Sequence, residues 1–204
     1  MVNKNTWNDE WNDFKGLNFF GRKFAKGQKN VVRKFLEREN LPKTAKVLDF
    51  GCGSGRTLRM FRNLGFNNSI GVDVSPNSMK LCEKNDFIVG KDVFLTKEEG
   101  TSFNDNSFDL VFADGVLEHF EDFSPIVKEI CRLSKKYILI TQPNHFSLYG
   151  RILRKTEHKP VFEYTYRISD FEEAFAENGF RLAQISHFNF REHWALLFKK
   201  DIMK

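Results

Sequence analysis

The segment Val47-Leu48-Asp49-Phe50-Gly51-Cys52-Gly53-Ser54-Gly55 constrains this chain more than any other. A short apolar run, Lys46–Phe50, reads as a buried strand that enters three alternating glycines. Leu58, Phe61 and Leu64 then continue at helical spacing until Gly65. Such glycines permit a tight turn and a close approach of the backbone to a ligand. They also fit a purely structural strand-to-helix turn, so the segment alone leaves both readings open. Asp49 can accept hydrogen bonds from the turn amides or from a cationic ligand group. The pattern is G-x-G-x-G, and Arg56 stands where a dinucleotide-binding turn would carry its last glycine. That disfavours a nicotinamide-dependent dehydrogenase.

The rest of the chain repeats the strand–helix alternation. A helix with a basic outer face is predicted from about Lys26 to Glu39 and ends at Asn40-Leu41-Pro42. Strands are predicted at Ser69–Val74, Phe87–Gly90, Phe108–Ala113 and Tyr137–Thr141, with residues 91–106 as a loop. Helices are predicted to start at Ser75-Pro76 and Ser124-Pro125 and to span Ile168–Asn178. Phe180–Phe190 and Trp194–Lys199 read as a terminal hairpin across Arg191-Glu192. The expected fold is α/β: a doubly wound, Rossmann-like, seven-stranded sheet, mostly parallel with an antiparallel final strand and helices on both faces. Ligands in such sheets bind at the carboxyl ends of the strands, beside the first strand.

At 204 residues the chain is read as a single domain, residues 1–204. Residues 1–40 form an aromatic cap and helix, and residues 143–166 form a substrate lid. The 23 Phe residues point to a Phe-rich core. The net charge of +5 is short of a dedicated nucleic-acid binder and is uneven. Residues 1–62 carry 14 Lys/Arg against 6 Asp/Glu, residues 63–122 carry 4 against 12, and residues 123–204 carry 14 against 9. Such flanks are solvated faces, or surfaces that favour an anionic partner. Cys52, Cys82 and Cys131 are odd in number and widely spaced, which suggests reduced thiols. With no signal-like start and no apolar span, a cytoplasmic protein is expected.

Two further segments carry candidate chemistry. Gly71-Val72-Asp73-Val74-Ser75 places Asp73 at the end of the second strand, about 20 residues past the glycines, where a carboxylate can bind both ribose hydroxyls. Capping of the next helix is the structural alternative. Asp114-Gly115-Val116-Leu117-Glu118-His119 follows the fourth strand and should face the same cleft. His119 and Glu118 are candidates for acid–base work, with helix-end packing as the structural alternative; His145, which follows Thr141-Gln142-Pro143-Asn144, is a further candidate. No carboxylate–histidine cluster at ligand spacing is visible, so no metal is expected.

Together VLDFGCGSG, GVDVSPNSM, DNSFDLV followed by VLEHFED, and TQPN after the fifth strand resemble the class I S-adenosylmethionine-dependent methyltransferases, and more narrowly their type 11 group. The resemblance covers roughly residues 30–199 and implies S-adenosyl-L-methionine as cofactor. It implies that Asp49, Gly51, Cys52, Gly53 and Gly55 form the turn under the methionine part. It implies that Asp73 binds the ribose, Val74 lies beside adenine, and Asp114 lies near the methionine end. The family's adenine-binding acid has no direct match, since Lys97 stands at that spacing. Asp92, with Val93, is preferred for that contact, and Glu98 is the runner-up.

The resemblance says little about the acceptor. A small molecule is expected, bound by Phe19, Phe20, Phe146 and Tyr149 from the cap and the lid. The stretch 145–159 is also a candidate for peripheral membrane contact. An RNA or protein methyltransferase, or a non-catalytic cofactor-binding regulatory subunit, is the alternative. Nucleic acid is not favoured, because no RNA-binding module or Asn/Asp-Pro-Pro-Tyr motif is present. The sequence is silent on oligomeric state.

Overall fold

A computed structural model describes residues 19–97, 100–147 and 163–201. The side chains of Phe19 and Phe20 lie outside the described set. Seven strands form one sheet: β1 (Val47–Phe50), β2 (Ser69–Asp73), β3 (Val93–Leu95), β4 (Phe108–Asp114), β5 (Ser134–Pro143), β6 (Phe180–Phe188) and β7 (His193–Lys200). Their spatial order is β3-β2-β1-β4-β5-β7-β6. The first five strands pair in parallel, and β7 runs antiparallel to both β5 and β6. This is the expected Rossmann-like sheet. The order reverses beside β1, which opens a crevice at the carboxyl ends of β1 and β4.

Side-chain alternation explains the two layers. On β5, Ile138 and Ile140 face one side while Tyr137 and Leu139 face the other. The first side is covered by α4 (Ser124–Leu133) and α5 (Ile168–Ala176) through Val127, Ile130, Phe171 and Phe175. The second is covered by α1 (Phe19–Arg38) and α2 (Arg56–Asn63) through Val32, Phe35, Leu36 and Phe61. Phe61, Phe66, Phe112, Phe171, Phe175, Phe180 and Phe198 are fully buried, so much of the Phe excess is core. The remaining helix, α3 (Pro76–Lys84), has Pro at its first position and Ser75 as N-cap, accepting from the Ser78 amide.

Two boundaries depart from the sequence pattern. The third strand is Val93–Leu95, inside the expected loop, and Phe87–Gly90 is not a strand. Phe87 is buried, but Ile88 and Val89 are 55% and 39% exposed. The apolar run is therefore the turn that leaves α3, anchored by one ring. The final hairpin turns at residues 189–192, where Asn189, Phe190 and Arg191 all take left-handed φ values of 50°, 55° and 68°. Such a run is disfavoured by about 1–2 kcal/mol per L-residue. The turn is held by Asn144, whose side-chain amide donates to the Arg191 carbonyl (2.8 Å) and whose backbone N–H donates to that of Glu192. Among the described residues, no helix is long and apolar enough to cross a membrane.

Candidate active site

The crevice is a cleft of about 360 Å³ at the carboxyl ends of β1, β2 and β4. Gly51, Cys52 and Gly53 form its floor. Gly51 has φ +74°, and a Cβ placed there would lie 2.6 Å from Cγ2 of Val116, in the loop after β4. Only glycine lets the two loops meet so closely. Gly55, also left-handed, turns the chain into α2.

Asp73 lines the cleft at the end of β2. Its Oδ2 accepts the Gly53 amide at 2.8 Å and its Oδ1 accepts the Ser75 amide at 2.9 Å. Burial raises its pKa, and those two amide bonds oppose the rise. Asp49 lies beneath the floor, fully buried. The Thr57 hydroxyl donates to its Oδ2, and its Oδ1 has no hydrogen-bond partner. Burial pushes its pKa up to about 7, against the Thr57 hydrogen bond.

At the other end of the cleft Asp114 closes β4 and meets Arg56 from the start of α2. Its Oδ1 accepts from the Gln28 amide (2.6 Å) and from the Thr141 hydroxyl, while the Arg56 guanidinium pairs with its Oδ2. Arg56 also donates to the Gln28 Oε1 at 2.7 Å. Four elements thus meet in one polar network: α1, α2, β4 and β5. Sequence reasoning gave Arg56 only a negative role and passed over Gln28. The available signal was a polar residue at i, i+4 and i+8 with Val32 and Leu36, on a stripe otherwise apolar.

His119 lies on a short 3-10 turn, Leu117–His119, and lines the cleft with Val116, Phe120, Pro125 and Ile126. His145 does not line it. Its Nε2 lies 3.1 Å from Glu163 Oε2 and its Nδ1 lies 3.2 Å from Thr165 Oγ1, so both ring nitrogens are engaged away from the cleft. Phe146 is also outside the cleft lining and stacks on Trp194, with centroids 6.3 Å apart. Tyr149 and most of the expected lid, residues 148–162, lie outside the described residues, as does Glu98.

Asp92 and Val93 need the firmest correction. Asp92 precedes β3 at the amino end of the strand, away from the cleft. Its Oδ1 meets Arg62 at 2.7 Å and its Oδ2 accepts the Ile88 amide at 2.8 Å. Partial burial alone would raise its pKa, but the Ile88 amide and Arg62 outweigh that and hold it below the ordinary range. Val93 is core, packed near Cys52 and Gly71. The cleft wall on this side is Val74, Thr96, Lys97, Gly100 and Thr101, with Glu129 behind, accepting from the Thr101 amide at 2.8 Å. Among the described residues, no group of three His, Cys, Asp or Glu is placed to hold a metal ion.

Residues 48–138 match the family model described as a methyltransferase domain. The matched segment is just under half of the chain. It contains the glycine floor, both cleft carboxylates and His119. A relative in Methanocaldococcus jannaschii, the uncharacterized protein MJ1123, is 30% identical over 127 residues, covering 61% of this chain and 57% of that one. The malonyl-[acyl-carrier protein] O-methyltransferase of Buchnera aphidicola is 28% identical over 135 residues, covering 66% of this chain and 49% of that one. The chain thus spans about half the length of the curated relatives it matches. Magnesium protoporphyrin IX methyltransferase from Synechocystis PCC 6803, solved with bound SAH, superposes with a TM-score of 0.71 at 17% identity. The match covers 97% of this chain and 94% of that one, a likeness of fold.

Proposed function

We propose that this chain is an S-adenosylmethionine-dependent methyltransferase that acts on a small-molecule acceptor in the cytoplasm. The observation that carries the reading is the polarity of the cleft. A hydrogen-bonding carboxylate, Asp73, stands at one end and an Arg56–Asp114 pair at the other, over a glycine floor no side chain can fill. These residues fit the cofactor. Asp73 suits a ribose diol. Val74, Thr96 and Ile126 suit a flat base. Arg56 and Asp114 offer opposite charges to an amino-acid zwitterion. The buried thiols Cys52, Cys82 and Cys131 form no disulfide, as a reducing compartment favours.

The cofactor, when bound, supplies a methyl group already activated by a positive sulfur. The chain's own tasks are to align the acceptor and to exclude water. Val116, Phe120, Pro125 and Ile126 give the mouth an apolar rim that does both. His119 is the imidazole at that rim and receives the proton of a hydroxyl acceptor. The apolar rim supports an organic acceptor over a folded protein surface.

Isothermal titration with S-adenosylhomocysteine and with NAD tests the cofactor class. Binding of the first alone is expected, and binding of NAD alone refutes the reading. A metabolite extract incubated with methyl-labelled cofactor then tests the acceptor. Label in small molecules is expected, and label only in added RNA or protein refutes the small-molecule acceptor.

A further inference from the structure

The outer face of α1 carries a charge pattern that the cleft does not use. Arg22, Lys26, Lys29 and Arg33 are all exposed and repeat at spacings of four, three and four residues. At 100° per residue they fall in a sector about 60° wide, along about 16 Å of helix. Lys23 and Lys34, also exposed, flank the row. Glu37 is the exposed acid of this helix, and it pairs with Arg33 at 3.4 Å. The net charge of +5 understates this local field, because the acidic residues are concentrated elsewhere.

A second feature lies beside Lys23, at the flank of the row. Phe190 is 75% exposed at the tip of the β6–β7 hairpin, between two residues that share its left-handed backbone. Lys23 Nζ lies 4.8 Å from its ring centroid, and Arg191 beside it is exposed. Glycine at position 27 brings the tip against the helix: a Cβ there would lie 2.6 Å from Asn189 Oδ1. An unfavourable turn and a helical glycine thus both hold an aromatic ring against Lys23, which flanks the row.

We infer that the cationic row of α1 and Phe190 form a binding surface for single-stranded RNA. Cations at successive helical turns meet successive phosphates, and an exposed ring beside them accepts a stacked base. A lipid surface fits less well. The apolar side of α1, Val32, Phe35 and Leu36, is buried against the sheet, so the helix has no apolar face to insert. The surface is independent of the methyl-transfer reading. It lies outside the cleft, while Gln28, on the inner side of the same helix, reaches Asp114.

Fluorescence anisotropy of a labelled 12-nucleotide oligouridylate, without cofactor, tests the proposal. Micromolar binding at 50 mM salt is expected. Four to six phosphate contacts predict a slope of log K against log salt of about −3 to −4, or about 60- to 250-fold weaker binding at 200 mM. Phe190→Ala should weaken binding roughly 5- to 100-fold and leave that slope unchanged. Lys26→Glu/Lys29→Glu/Arg33→Glu should abolish binding, with the melting temperature confirming that these exposed changes leave the fold intact. Phosphatidylserine vesicles and a poly-glutamate peptide are the competing arms. No binding to the oligonucleotide, tighter binding to either competitor, or equal binding by wild type and Phe190→Ala would overturn the assignment.

Discussion

Asp49 is a carboxyl group placed where its charge is disfavoured, and the consequence is measurable. In the unfolded chain it ionises near 3.8; in the fold, burial pushes that to about 7. Between those values the unfolded chain has lost the proton and the folded chain keeps it. Stability contributed at this site is therefore fully present below about pH 4, falls as pH rises, and is lost above about pH 7. The whole displacement corresponds to about 4 kcal/mol at ~1.4 kcal/mol per pH unit. Roughly 2.6 kcal/mol of it falls between pH 5 and pH 8. Asp49→Asn removes the charge and keeps the shape. Its carbonyl oxygen still accepts from Thr57, and its NH2 takes the place of the unpartnered Oδ1 at a cost of about 1–3 kcal/mol. The variant is thus expected to gain about 2.6 kcal/mol on wild type between pH 5 and pH 8, and to be as stable or more stable at pH 8. Urea unfolding of both proteins without ligand, at half-unit steps from pH 5 to 8, measures the difference directly. In thermal melts the relative shift over that range should be about 5–10 °C for a chain of this size. Two stability curves that stay parallel across the range would show that Asp49 is ionised throughout, and the argument from burial would fail.

Other substitutions separate the roles assigned above. Gly51→Ala meets Val116 Cγ2 at 2.6 Å and adopts a left-handed backbone; a loss of about 1–3 kcal/mol is expected in urea unfolding, and Val116→Ala in the same chain should restore the steric part only. Asp73→Ala should weaken S-adenosylhomocysteine binding at least about tenfold by calorimetry; an unchanged affinity would move the ribose elsewhere. With an acceptor in hand, His119→Ala should lower kcat by about 10²-fold if the acceptor must lose a proton. His145→Ala should instead lower the melting temperature and leave kcat alone, since its ring is tied to Glu163 and Thr165.

What the sequence made legible was what the chain keeps local. The glycine turn, Asp73 and Asp114 each sit at the end of an apolar run, and parallel pairing then brings those ends together. The errors came from contacts made at a distance. Phe87–Gly90 has the composition of a strand, but Phe87 alone is buried, beside Gly55, and the pairing partner of β2 is the three-residue Val93–Leu95. Because Asp92 was placed relative to the wrong strand, it was assigned to the wrong end of the sheet. His145 was located correctly, just past the end of β5. Its orientation depends on Glu163 and Thr165, 18 and 20 residues later, and no local pattern encodes that.

Arg56 shows how one position can exclude one ligand class and serve another. In a dinucleotide-binding turn the third glycine lets the helix close on the strand. Here the side chain begins α2 and spans the cleft end to Asp114 and Gln28. The guanidinium supplies the charge that makes an acid at the end of β4 tolerable there, and Gln28 satisfies both partners at once. Removing Arg56 would leave Asp114 with two neutral donors, Gln28 and Thr141, and a half-buried charge. The same residue that breaks the glycine pattern therefore sets the polarity of the site, and it ties the N-terminal helix to the cleft. A cofactor with a zwitterionic end needs both signs at that point, whereas a pyrophosphate would meet the Asp114 carboxylate as a repulsion.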